Sequence, residues 1–234
     1  MSNACVMEGR VFRPARLRAG IVVAAALVVC LCAGATPASA QTPPAPSGAV
    51  REPPLRRVFT FLGGAATGLA VHESGHLMTS ALFGADPGVK GITYGPLPFF
   101  AITHDQVTRR QEFVISSAGF WMQHAGSEWI LHAHPHLHDE SAPFLKGLFA
   151  FNLGVSAMYS VAAFGQFGRP ERDTLGMARS LGSTGAPEPL VGALVLAPAL
   201  LDGYQYLNPD AAWARWASRA VKVGSVLLTV AAGR

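Results

Sequence analysis

The chain has 234 residues, of which 50% are hydrophobic and only 14% are charged, and its formal net charge is +4 at pH 7. Its mean hydropathy is +0.30. A soluble domain usually has about 25% charged residues, so this composition argues against a soluble globular protein and favours a membrane protein. Four arginines lie near the N-terminus, so the positive balance gives no sign of a nucleic-acid partner.

Residues 1–40 predict a secretory signal peptide. Arg10 to Arg18 contain the basic residues, Ile21 to Cys32 form an apolar core, and Ala38-Ser39-Ala40 is a small-residue cleavage site. An uncleaved anchor helix is the alternative, and in both cases the following residue starts outside the membrane. The mature chain would contain no cysteine, because all three lie in this segment: Cys5, Cys30 and Cys32. Residues 41–57 are proline-rich and predict a linker.

Residues 58–234 predict a membrane domain. Four apolar stretches are long enough to cross a bilayer, which takes about 20 residues. They are Val58 to Phe83, about Phe113 to Leu131, about Phe144 to Phe164 and about Leu190 to Leu207. The basic and aromatic tail from Ala211 to Ala232 predicts an amphipathic interfacial helix or a fifth span. The predicted fold class is therefore an all-α polytopic membrane protein with about four transmembrane helices.

The distribution of basic residues in the loops predicts the orientation of these spans. With the N-terminus outside, loops 84–110 and 165–186 lie inside and each contains three basic residues, whereas loop 132–142 lies outside and contains no Lys or Arg. This arrangement obeys the positive-inside rule and predicts a multi-pass protein of the cell (inner) membrane, with the lipid bilayer as a partner.

The basic tail, which would lie outside, fits this rule less well. The outer loop has an alternating histidine run, which we expect to be solvated.

Residues 88–103, between the first two spans, contain β-branched and aromatic residues interrupted by Gly and Pro. This pattern predicts short strands or a hairpin at the membrane surface. An exposed strand edge can pair with an extended peptide. The segment is therefore either a substrate-clamping edge or a plain connecting loop.

The first apolar stretch contains His72-Glu73-Ser74-Gly75-His76, and Glu73 is its only acid. Residues four apart share a helix face, so His72 and His76 can bind one metal ion. Glu73 can reach a water molecule beside the metal and act as a general base. Such groups are costly to bury in hydrocarbon, and they usually mark a functional interior. The simpler alternative is that the two imidazoles form hydrogen bonds to neighbouring helices.

A catalytic zinc ion usually has three protein ligands and one open position, so a third ligand is needed. At 1.5 Å per residue, the histidines lie roughly 21 to 27 Å below the outer face. Asp202 lies near the outer side of the fourth span, whereas Asp173 follows the third span on the inner side. Asp173 is the favoured ligand if its segment folds back as a short helix, although it could instead cap that helix. Asp202 is the alternative and Glu128 a weaker candidate.

Two further features of the spans are candidates for a role in the site. Asn152, in the third predicted span, could hold a substrate carbonyl or stabilise an oxyanion, or it could link two helices. The small residues Ser116-Ser117-Ala118-Gly119 in the second span predict a close helix contact.

These residues resemble the site-2 protease family of intramembrane zinc metalloproteases. The resemblance rests on Val71-His72-Glu73-Ser74-Gly75-His76-Leu77 in an early span, a glycine-bearing second span, a β-like loop between them and an acid about a hundred residues later. It implies Zn²⁺ bound by the two histidines and a downstream Asp, Glu73 as the base, and a membrane-protein substrate. In that family the Asp often lies in a Leu-Asp-Gly setting, which Leu201-Asp202-Gly203 matches, whereas Asp173 matches the expected distance and depth.

The resemblance implies that residues 58–234 are a membrane metalloprotease-like domain that hydrolyses peptide bonds in or beside the membrane. The alternative is a non-enzymatic multi-pass membrane protein, in which the histidine pair binds metal or haem or simply packs helices. A soluble periplasmic zinc protease is disfavoured, because the first apolar stretch lacks a water-facing side.

Overall fold

The computed structural model describes residues 53–94, 97–182 and 187–231, and this part of the chain is mostly helical. The predicted signal peptide and most of the predicted linker lie outside the described residues. The helices are α1 (Pro54–Leu82), α2 (Arg109–Ala133), α3 (Pro143–Gly165), α4 (Asp173–Leu181), α5 (Pro187–Leu207) and α6 (Ala212–Ala231). The strands are β1 (Gly88–Tyr94) and β2 (Leu97–Thr103).

The helix boundaries follow local chemistry. α1 begins at Pro54, inside the predicted linker, because proline is pre-organised for the first turn of a helix. The Thr108 side chain accepts from the backbone N–H of Gln111, and the Gln111 side chain accepts from that of Thr108, so a capping box starts α2. Gln166 ends α3 in a left-handed conformation with φ 52°. The long helices therefore match the predicted apolar stretches to within a few residues.

Two of the described helices have the length and composition of a membrane span. They are α3 and the segment Glu188–Leu207 of α5. The described part of the chain is thus mostly helical and contains two helices that could cross a bilayer, and the arrangement of four spans stays a prediction.

α1 packs closely against both α2 and α3 because glycines line the contacts. A Cβ on Gly147 of α3 would collide with the Phe61 carbonyl of α1. A Cβ on Gly75 of α1 would lie 2.8 Å from the Ala118 carbonyl oxygen of α2. Small residues allow this close approach of backbones, so the predicted contact at Ser116 to Gly119 is confirmed.

The apolar core consists of two clusters of buried side chains. One joins α2, α4 and α5, and the other joins α2, α3 and the loop between them. The first contains Phe113, Phe120, Met177, Ala178, Val191 and Val195, and the second contains Ile130, Leu131, Leu137 and Phe149. The first cluster anchors the short helix α4 beside α2.

The predicted hairpin is present between α1 and α2. β1 and β2 pair antiparallel, with Gly88 opposite Thr103. Lys90 of β1 lies 2.8 Å from a carboxylate oxygen of Glu171, and Arg169 donates to the hydroxyl of Thr93 at 2.9 Å. These contacts attach the hairpin to the segment that precedes α4.

Candidate metal centre

α1 presents His72 and His76 on one face, as their spacing predicts. Both are buried, with exposed fractions of 2% and 5%. Their Nε2 atoms lie 3.1 Å apart. The two imidazoles therefore converge on one point inside the helix bundle.

Asp173 joins this pair from α4, of which it is the first residue. Its Oδ2 lies 3.1 Å from Nε2 of His72 and 3.4 Å from Nε2 of His76. α4 approaches α2 closely at Gly176, where a Cβ would collide with the Ser116 hydroxyl. The segment after α3 thus folds back as a short helix, and it brings Asp173 to the histidines as expected.

The three side chains fit a zinc ion. A tetrahedral zinc ion with ligands at about 2.0–2.1 Å separates its ligand atoms by about 3.3 Å. The observed separations of 3.1, 3.1 and 3.4 Å are close to that value. Two imidazole nitrogens and one carboxylate oxygen are also a donor set that zinc accepts. His72, His76 and Asp173 would therefore hold the metal.

The two histidines are oriented in different ways. Nδ1 of His76 donates to the Ile115 carbonyl at 2.8 Å, which turns Nε2 towards the site, where the neutral form of the ring would present its lone pair to a metal. Nδ1 of His72 is buried and has no hydrogen-bond partner among the described residues. The His72 ring instead packs edge-on against Phe120, with ring centroids 5.4 Å apart. On the Nδ1 side, packing alone holds His72, whereas a backbone hydrogen bond holds His76.

Gly119 of α2 forms the wall opposite the two imidazoles. A Cβ at this position would lie 2.5 Å from Nε2 of His72 and 2.6 Å from Nε2 of His76. Only glycine leaves the space between these nitrogens open.

The carboxyl of Asp173 is held in its ionised form. Burial alone would raise its pKa, but positive charge on His76 and hydrogen bonds from both histidines outweigh that effect. The pKa of Asp173 therefore lies well below its ordinary value. An ionised carboxylate is the form that binds a metal cation.

A cavity of about 410 Å³ opens beside these residues. Glu73, which is half-buried, lines the cavity together with His76 and Asp173. Residues 100–103 of β2 and Tyr159 of α3 contribute to its other walls. Glu73 therefore faces the same open space as His76 and Asp173, where a general base would have to lie.

The other two candidates for the third ligand lie elsewhere. Asp202 is fully buried and accepts hydrogen bonds from Ser218 at 2.6 Å and from Lys222 at 2.8 Å. Glu128 accepts from Arg219 at 2.6 Å and from Lys222 at 3.1 Å. These acids bind α6 to α5 and α2, and neither joins the histidine pair. The structure therefore gives no support to Asp202 or Glu128 as a metal ligand.

Asn152 is likewise not brought to the cavity. Its amide donates to the Gln123 carbonyl at 3.1 Å and to the Ser127 hydroxyl at 3.0 Å, both on α2. The residue is buried between α3 and α2. The geometry matches the alternative in which Asn152 links two helices, and Asn152 is therefore not part of the candidate site.

Sequence reasoning missed two contributors to this region. It did not foresee that Gly119 faces the imidazoles, although the small residues around it predicted a close contact. It also did not pair Lys222 and Arg219 with buried acids. The available signal was a basic residue within a largely apolar helix, since such a charge needs a partner. Comparisons with protein-family models, curated proteins and solved structures find no match for this chain.

Proposed function

We propose that this protein is a zinc metallopeptidase that hydrolyses peptide bonds in or next to the membrane. One observation carries the proposal: His72, His76 and Asp173 converge on one point, and His76 and Asp173 line a cavity that Glu73 also lines. Zinc held by these three residues would polarise the scissile carbonyl and make a water molecule acidic near neutral pH.

Glu73 supplies the proton transfers. Its carboxylate takes a proton from the attacking water as the oxygen bonds to the carbonyl carbon. It then gives this proton to the departing amine as the carbon–nitrogen bond breaks. Its place next to His72 in α1 keeps it beside the ligands, and its partial exposure to the cavity gives it access to substrate.

The cavity suits a peptide in extended form. It lies between β2 and α4, and its volume of about 410 Å³ accommodates a short stretch of chain. The backbone of β2 offers a strand edge with which such a peptide could pair. A helical substrate would first have to unwind, because helix hydrogen bonds shield the peptide bonds.

A membrane location is supported by the surface of α1 as well as by α3 and α5. The N-terminal half of α1 exposes large apolar side chains, among them Val58 at 55%, Phe59 at 65% and Leu62 at 53%. Hydrocarbon contact would remove this apolar surface from water. We propose a multi-pass protein of the cell (inner) membrane with a membrane-protein substrate.

The test uses the purified full chain in detergent, with metal analysis and a peptide-cleavage assay. We expect one zinc ion per chain. Glu73→Gln should keep the zinc but lose at least about 100-fold in turnover, because general base catalysis contributes this much. Asp173→Asn should lose the zinc. Asp202→Asn is the matched control, and it should keep the zinc while unfolding at a lower temperature, because Lys222 loses a buried partner.

The competing proposal is a non-enzymatic protein in which the triad binds metal or packs helices. The observed separation of 3.1 Å between His72 Nε2 and Asp173 Oδ2 also fits a direct hydrogen bond. In that case zinc-replete protein would stay metal-free, or it would bind zinc without cleaving any peptide. Either result, or a Glu73→Gln variant as active as the parent, would refute the peptidase proposal.

A further inference from the structure

Among the charged side chains that line the cavity, two have no charged partner of their own among the described residues: the proposed base Glu73 and Arg179. Arg179 of α4 is exposed, lines the cavity, and has no ion pair or side-chain hydrogen bond within the described part of the chain. The other charged wall residues all have partners: Glu112 with His104 at 3.4 Å, Glu171 with Lys90 at 2.8 Å, Arg172 with Glu188 at 2.7 Å and Asp173 with His72 at 3.1 Å.

Arg172, the other arginine of the cavity wall, is already engaged in an ion pair. Arg172 makes two hydrogen bonds to the carboxylate of Glu188, at 2.7 and 2.9 Å, and both side chains are largely buried. Arg172 immediately precedes α4 and Arg179 lies within it, and both line the cavity. Only Arg179 of the two is available to a ligand in the cavity.

Arg179 lies at a defined distance from the metal-ligating residues. It is six residues after Asp173 on α4, which corresponds to about 9 Å along the helix axis. An extended peptide advances about 3.3 Å per residue. A peptide that runs along α4 with its scissile bond at the metal centre would therefore place a side chain about three residues away beside Arg179.

We infer that Arg179 forms a subsite for a carboxylate of the substrate about three residues from the scissile bond. The inference rests on the proposed peptidase function and adds a substrate preference to it. An arginine guanidinium can donate two parallel hydrogen bonds to a carboxylate, which makes it a selective partner for Asp or Glu. The carboxylate comes from an acidic side chain or from the C-terminus of the substrate.

The experiment uses the zinc-loaded full chain and internally quenched peptides with one apolar sequence. Asp, Asn or Lys is placed in turn at the second to fourth positions on each side of the cleaved bond, with a free or amidated C-terminus. We expect kcat/KM to be about tenfold or more higher for Asp than for Asn at one position, as a charge-assisted bond implies. Arg179→Ala should abolish this preference, and Arg179→Glu should transfer it to Lys. Arg57→Ala on α1 is the control, since Arg57 is exposed and does not line the cavity.

Each outcome is decisive. An Asp preference that persists in Arg179→Ala overturns the subsite, and so does the absence of any such preference in the parent. A preference that requires the free C-terminus assigns the carboxylate to the chain end. If Arg179→Ala slows cleavage of all peptides equally and only in micelles that contain phosphatidylglycerol, Arg179 contacts lipid headgroups and the subsite is wrong.

A binding measurement separates this inference from the proposed function. The same peptides are titrated into Glu73→Gln and into Glu73→Gln/Arg179→Ala, with fluorescence anisotropy as the readout. Suppose that the parent cleaves none of the peptides, yet the Asp peptide binds at least tenfold more tightly than the Asn peptide and does so only when Arg179 is present. In that case the peptidase proposal fails and the subsite stands. Equal affinities for the two peptides overturn the subsite.

Discussion

At the scale of single residues, Gly119 decides how much room lies between the two imidazoles. A methyl group there would lie 2.5 and 2.6 Å from the nitrogens that would bind zinc. We therefore expect Gly119→Ala to weaken zinc binding at least tenfold, as measured by competition with a chelating dye. Alanine favours a helix over glycine by up to about 1 kcal/mol, so lost helix propensity would not be the cause.

Gly126→Ala, on the same helix, provides the matched control for this prediction. A Cβ at Gly126 would lie 3.5 Å from the Asn152 amide nitrogen, which is an ordinary contact. This variant should bind zinc as the parent does. Parental zinc affinity in Gly119→Ala would mean that the imidazoles do not hold a metal in the arrangement described above.

At the scale of elements, α6 is attached to the bundle by buried charges. Lys222 bridges Glu128 of α2 and Asp202 of α5, and only about 9% of Lys222 is exposed. Lys222→Met would leave Asp202 without its cationic partner. We expect this change to lower the free energy of unfolding by about 3–5 kcal/mol, because one partner of a buried ion pair is lost. Chemical unfolding in detergent would measure the loss, while zinc content should not change.

Two variants sharpen this prediction. Among the described residues, Lys146 donates only to the exposed His138 carbonyl, so we expect Lys146→Met to have an effect of about 0.5 kcal/mol or less. Lys222→Met combined with Asp202→Leu removes both charges and should recover much of the lost stability, since a buried pair can often be replaced by apolar groups. A double variant as unstable as Lys222→Met alone would show that charge compensation is not what attaches α6.

Much of this element architecture could be predicted because local signals coincide. Most ends of the apolar stretches are flanked by Pro, Gly or a charged residue, so the helix ends fall close to the predicted ones. The hairpin was also predictable from its β-branched residues and turn formers. The depth of His72 and His76 favoured Asp173, because a ligand must lie at the same level as its partners. Each of these inferences uses neighbours in sequence or the rise of a helix.

The remaining contacts depend on how the helices pack against one another, and no local sequence pattern predicts this packing. Lys222 and Glu128 are 94 residues apart, and only the antiparallel docking of α6 on α5 brings them together. The sequence allowed the Asn152 side chain to face either the cavity or α2. The orientation of α3 about its own axis directs this side chain to α2. The Leu-Asp-Gly triplet drew attention to Asp202, but three residues carry little positional information. Helix rotation and docking therefore limited the prediction of the site.

At the scale of the whole molecule, the candidate metal centre joins distant parts of the fold. His72 and His76 lie in α1, and Asp173 begins α4, which also contacts the hairpin through the segment at Arg169 and Glu171. Removing the metal with a chelator should loosen α4 and the hairpin more than α3. The backbones of α3 and α1 are in close contact at glycines that lie away from the site, so these contacts do not depend on the metal. Hydrogen exchange with mass spectrometry should show faster exchange in residues 88–103 and 173–181. Uniform acceleration, or none, would contradict this view.

The orientation of the molecule in a bilayer gives the last prediction. Basic loops are retained on the inner side, so the loop that contains Lys90 should be inside and the loop that contains the histidine run should be outside. The experiment starts from a chain in which Cys5, Cys30 and Cys32 are replaced by serine, so that the reading does not depend on signal cleavage. An impermeant maleimide applied to intact cells should label Ser141→Cys but should label Gln106→Cys only after permeabilisation. Both positions are exposed in the structure, so burial cannot cause the difference. Labelling of both from the same side would show that α2 does not cross the membrane. A reversed pattern would place the metal centre near the outer face and exclude substrates approaching from the inside.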